Sequence, residues 1–150
     1  MLTKNGKAVL KYMSGNGYGI SWTLKSTAGS DVANSVSTAA QRGNFFGALS
    51  MMVGSGTTAP TKDDYNLETV ESGLTVVSSS STISNAPSYT QDYILNYSRT
   101  YKNSTASPIT ISEVALYISY GNNNFIITRD VFTPVTLQPD EVYTLSVTIG

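Results

Sequence analysis

The stretch Tyr89-Thr90-Gln91-Asp92-Tyr93-Ile94-Leu95-Asn96-Tyr97-Ser98-Arg99-Thr100-Tyr101-Lys102 decides the fold. Its odd positions carry Tyr89, Gln91, Tyr93, Leu95, Tyr97, Arg99 and Tyr101, and its even positions carry Thr90, Asp92, Ile94, Asn96, Ser98 and Thr100. Successive side chains of a strand point to opposite faces, so this period of two predicts an amphipathic strand from 89 to 102. We read the tyrosine side as packing inward with Leu95, into a core or a subunit interface. The alternative leaves Tyr89, Tyr93, Tyr97 and Tyr101 exposed, as a ladder that stacks on sugars.

Strands continue towards the C-terminus. After a turn over 103–108, Ile109 and Ile111 alternate in one phase, and Val114, Leu116 and Ile118 in the other. That switch predicts a β-bulge near Ser112 and Glu113. Residues 121–124 have hairpin-turn chemistry, and 125–132 read as the return strand. Residues 134–137 read as a further short strand. Residues 138–141 turn the chain, and Tyr143, Leu145, Val147 and Ile149 alternate as a final strand. Towards the N-terminus, Leu74, Val76 and Ile83 mark a strand region interrupted by the serines 78–81. The apolar run 45–53 stops at Gly54-Ser55-Gly56.

Residues 1–43 are less patterned. A short strand over 7–12 and a turn through Gly15, Gly17 and Gly19 precede a strand marked by Ile20, Trp22 and Leu24. Val32, Val36, Ala39 and Ala40 recur at helical spacing between Asp31 and Gly43, which predicts a short helix over 31–42. The expected organisation is an N-terminal arm or first strands over 1–43 and a β-domain over 44–150, together one compact domain. The expected fold is an all-β, antiparallel sandwich, immunoglobulin-like or jelly-roll-like.

Composition narrows the chemistry. The 150 residues include no cysteine and no histidine, which removes disulfides, thiolate metal sites, the commonest general base and the commonest metal ligand. Charged residues make up 13%, about half the usual share. Serine and threonine number 40 and asparagine 11, so hydroxyls and amides must solvate the surface. A net charge of −1 attracts neither nucleic acid nor an anionic membrane. Residues 1–62 hold six basic side chains and one acid; residues 63–150 hold three basic side chains and nine acids. Lys4, Lys7, Lys11 and Lys25 precede the first acid, and they and the four tyrosines are the candidate interface residues. The N-terminal stretch does not read as a secretory signal, and no run is long enough to span a membrane.

No arrangement of nucleophile and base is legible, and no catalytic, cofactor or metal-ligating residue is assigned. The carboxylates Asp63, Asp64, Glu68 and Glu71 are close in sequence, which is the pattern of an acid–base pair or a hard-cation site. A solvated turn is the preferred reading, because nothing but proximity supports the other two.

One stretch runs from Val53 through Gly54, Gly56, Pro60, Asp64 and Tyr65 to Leu67. Another runs from Ile109 through Glu113 to Leu116, with Arg129-Asp130 and Leu137-Gln138-Pro139-Asp140-Glu141 following. Together they resemble small β-rich structural proteins of tailed bacteriophages. Ala115 and Asp140 stand where such proteins often have glycine. The resemblance covers roughly 44–150 and brings no catalytic residues. It implies a non-enzymatic virion subunit, an accessory on the capsid or a part of the tail or fibre. Its implied partners are other virion proteins and further copies of itself; a glycan-binding module is the alternative. Within these motifs Gly54 and Gly56 permit a tight turn, and Glu113 is placed to accept hydrogen bonds from backbone or from Arg129.

Overall fold

The computed structural model describes residues 1–13, 21–35, 49–84 and 94–149. Among them the architecture is all-β and antiparallel, as expected, and the one short helix lies elsewhere than expected. The chain divides into two compact units. The first comprises Met1–Val70 and Ile111–Pro134, the second Glu71–Thr110 and Val135–Gly150. The expected boundary at 43/44 falls outside the described residues.

The first unit opens on a helix, α1 (Lys4–Met13), where sequence reading placed a strand. Buried Thr3 accounts for the difference by capping it: its Oγ accepts the Gly6 amide at 3.1 Å, satisfying an otherwise orphaned donor. The same hydroxyl donates to the carbonyl of Ile126 at 2.8 Å. Gly6 is obligatory here, because a Cβ would collide with the Ile127 carbonyl. The backbone of Thr3 also donates to Ile127 and that of Lys4 to Lys62. Thr3, Lys4 and Gly6 are thereby hydrogen-bonded into the unit.

Strands β1 (Ser21–Lys25) and β2 (Asp31–Ser35) form a hairpin, with Lys25 opposite Asp31. This corrects the expected helix over its first five residues; positions 36–42 lie outside the described residues. The tight turn favours the hairpin: Gly29 takes a φ of +81°, and the Ser26 amide donates to the Ser30 carbonyl. Asn5 of α1 clasps the hairpin, its side chain exchanging two hydrogen bonds with the Lys25 backbone at 2.7 and 3.0 Å.

The main sheet of this unit has the order β3-β6-β7, from β3 (Leu49–Gly54), β6 (Ile109–Tyr120) and β7 (Asn123–Leu137). The central strand β6 is buried at every residue from Ile111 to Leu116. That double-sided burial accounts for the phase switch. Its register against β3 runs unbroken from Leu49↔Ile118 to Gly54↔Glu113. Met51, Val53, Val114 and Leu116 share one face. Met52, Ala115 and Tyr117 share the other, where Leu67 and Ile126 complete a cluster. Gly121, at a φ of +60°, turns β6 into β7. The latter runs on through Pro134 rather than ending before it.

In the second unit β5 (Ile94–Asn103) lies between β4 (Leu74–Ser84) and β8 (Val142–Ile149). The serines 78–81 do not interrupt β4; a register shift between Val76 and Ser78 absorbs one residue, and pairing continues. Register puts Leu95, Tyr97 and Tyr101 on one face with Tyr143, Leu145 and Val147. Tyr97 and Tyr101 are buried. The opposite face is a ladder of hydroxyls: Ser98 to Ser146 at 2.6 Å, Thr100 to Thr144 at 2.8 Å, and Thr148 to Asn96 at 2.7 Å.

Candidate functional site

The segment Ser55–Val70 crosses from β3 without regular structure of its own. What shapes it is one carboxylate. Glu113, fully buried on β6, accepts the amides of Gly56 (3.1 Å) and Thr69 (2.9 Å) at Oε1 and that of Glu68 (3.1 Å) at Oε2. Arg129 of β7, also buried, donates Nε and Nη2 to Oε2 at 2.9 and 2.8 Å. Its Nη1 reaches Asp64 Oδ2 at 2.8 Å, and its Nη2 lies 3.9 Å from Glu68. Five donors thus surround Glu113, and two further carboxylates share the guanidinium. A buried charge costs several kcal/mol in desolvation and persists only when paired and hydrogen-bonded in this way.

The glycines belong to the same arrangement. A Cβ at Gly56 would sit 2.6 Å from Glu113 Oε1, and one at Gly54 2.5 Å from it. Ser112 closes the ring by donating to the Gly56 carbonyl at 2.9 Å. Gly54, Gly56, Asp64, Glu113 and Arg129, from both of the stretches singled out in the sequence, therefore meet at one clasp. Sequence reading paired Glu113 with backbone and with Arg129, but gave no reason to add Asp64 or Glu68.

The loop carboxylates are held ionised. Hydrogen bonds from Lys4 first, then Lys62, bring Asp63 down to about 2. Burial pushes Asp64 up, but the Thr61 amide and Arg129 outweigh it and the net shift is downward. The Thr58 and Thr57 amides hold Glu68 low. A general acid needs a raised value, so these three are tuned away from that role. Arg129 occupies the place between Asp64, Glu68 and Glu113 that a cation would take.

Beside the clasp lie two shallow depressions of about 320 and 390 Å³, separated by the segment Asp63–Tyr65. Lys4 and Lys25 line the first, with Lys62, Asp31 and Asp63. Lys4 pairs with Asp63, and the Lys25 ammonium sits 4.9 Å from the Tyr65 ring centroid. Of the basic N-terminal residues, Lys4 is thereby paired with a carboxylate of the same unit while its side chain stays largely exposed. Lys7 is exposed on α1. The side chain of Lys11 and the whole of Tyr89 and Tyr93 lie outside the described residues. Being buried, Tyr97 and Tyr101 do not present ring faces to a sugar, and Tyr97 accepts a hydrogen bond from Arg99 at 2.8 Å.

Compared with models of protein families, with curated proteins and with solved structures, the chain matches none.

Proposed function

We propose that this chain is a non-enzymatic structural subunit of a tailed-bacteriophage virion, an accessory that assembles on the capsid or in the tail or fibre through its β surfaces and N-terminal segment. The observation that carries the reading is the clasp. Five residues of the resembling stretches, Gly54, Gly56, Asp64, Glu113 and Arg129, meet there, and they hold a loop to a sheet. A motif that serves architecture is what a building block needs, and the carboxylates most suited to chemistry are committed to amides and to Arg129. The hydroxyl surface adds support, since uncharged flat sheets pack against neighbours without desolvating ions. In a particle, symmetry multiplies contacts that are weak singly.

The test is composition of the particle. Virions made by the phage that encodes this chain, purified by density gradient, should contain it in a fixed ratio to the major capsid protein by quantitative mass spectrometry. Recovery of the chain only among free proteins of the lysate refutes the proposal.

A further inference from the structure

Strand β4 departs from the usual design of a sheet edge. Edge strands ordinarily carry charges, prolines or brevity, because open N–H and C=O groups invite another strand. The eleven residues of β4 contain no charge and no proline. Every residue from Thr75 to Thr82 is exposed, including the large apolar Val76 and Val77. Among the described residues no strand pairs with its outer side.

The hydroxyl ladder indicates what would pair there. On β5 and β8 its members are bonded to one another, Ser98 with Ser146 and Thr100 with Thr144. The ladder reaches β4 through the registers Ser78↔Thr100, Ser80↔Ser98 and Thr82↔Asn96. There it stops: among the described residues, the hydroxyls of Ser78, Ser80 and Thr82 bond to no protein group. A strand that extends it must be extended, neutral and hydroxyl-bearing. The β8 edge fits less well, since Thr144, Ser146 and Thr148 are already bonded to β5.

We propose that β4 is a self-association edge, where a second copy of this chain adds its own β4 antiparallel about a two-fold axis. With the axis at Ser79, Ser78 faces Ser80 of the second copy and Ser80 faces Ser78. Hydroxyl then meets hydroxyl, no like charges face each other, and two three-stranded sheets become one of six. An isologous contact of this kind closes at the dimer. The inference rests on the strand and not on the virion reading, and either can fail alone.

The experiment is sedimentation of the purified full chain over a concentration series, with two variants that leave the exposed strand's backbone intact. The parent should approach twice its 16.0 kDa. The double variant S78K/S80K puts like charges opposite each other in any near register and should weaken the dimer about tenfold at low salt. The variant S78E/S80E should do the same, and an equimolar mixture of the two should recover the parent's dimer. Circular dichroism identical to the parent's verifies that the variants fold. A parent that stays monomeric, an open series of larger species, or a mixture no tighter than its components overturns the proposal.

Discussion

Replacing Glu113 by glutamine tests the clasp directly. The change keeps the side chain's size and removes its charge. Oε1 and Oε2 both face donors only, three amides and two guanidinium nitrogens. Whichever way the new amide is turned, its NH2 group confronts at least two of them, and Arg129 keeps Asp64 as its close partner. Removing one side of a buried ion pair costs about 3–5 kcal/mol, against the roughly 5–15 kcal/mol that holds a domain together. With a urea slope of about 2 kcal/mol/M, the unfolding midpoint should fall by about 2 M. Native-state hydrogen exchange should localise the damage to the amides of Gly56, Glu68 and Thr69. Combining Glu113→Gln with Arg129→Met should cost about 2 kcal/mol less than the sum of the single changes, because each alone strands its partner. A midpoint within about 0.3 M of the parent's, or additive single effects, would refute the reasoning.

The same geometry makes further expectations. Gly56→Ala should destabilise by about 1–3 kcal/mol in urea unfolding, since the new methyl would lie 2.5 Å from Glu68 Cβ and 2.6 Å from Glu113 Oε1. Asp63, Asp64 and Glu68 are shifted downward in the folded protein, so their stabilisation is complete above about pH 5 and is lost as pH falls through each group's folded value, which for Asp63 is about 2. Melting temperatures across that range should fall less steeply for Asp64→Asn than for the parent. Asp140 holds a φ of 67°, so Asp140→Ala should cost about 1 kcal/mol while Asp140→Gly is neutral or stabilising, read from the same urea midpoints. Leu116→Asp, a bare charge at a fully buried position of the central strand, should cost more than about 4 kcal/mol and abolish a cooperative melt.

Strands with one wet face were legible from the sequence. Tyr143, Leu145 and Val147 alternate with Thr144, Ser146 and Thr148 because only one side of β8 meets apolar neighbours, and period-two reading finds that at once. The centre of a sheet hides the signal. β6 is buried on both faces, so Ser112 and Glu113 sit in mid-strand, satisfied by a loop some fifty residues earlier, and the pattern imitates a bulge. The helix α1 was illegible for another reason: its anchors, Thr3, Asn5 and Gly6, are a cap, a clasp and a close approach, none of which is periodic. The clasp was half legible. Glu113 and Arg129 stood out in a motif, but Asp64 and Glu68 looked like solvated turn residues until β7 placed a guanidinium among them. Asp140 is the reverse case, where the structure supplies a reason the sequence did not: its φ of 67° is a left-handed backbone that glycine adopts more readily.

The discontinuity of the first unit bears on how the chain acquires its structure during translation. When residues 1–70 have emerged from the ribosome, β3 still lacks its neighbour β6, and the loop after it lacks both Glu113 and Arg129. Gly56 and Glu113 are 57 residues apart. At about 5–20 residues per second that interval lasts roughly 3–10 s. Throughout it Met51 and Val53 lack β6, their partner strand among the described residues, whereas the β4–β5 hairpin is synthesised whole and can pair at once. Local pairing precedes the costlier closure of long loops. For β3 the order of birth is thus inverted: the β4–β5 hairpin, made later, can pair before β3 meets β6.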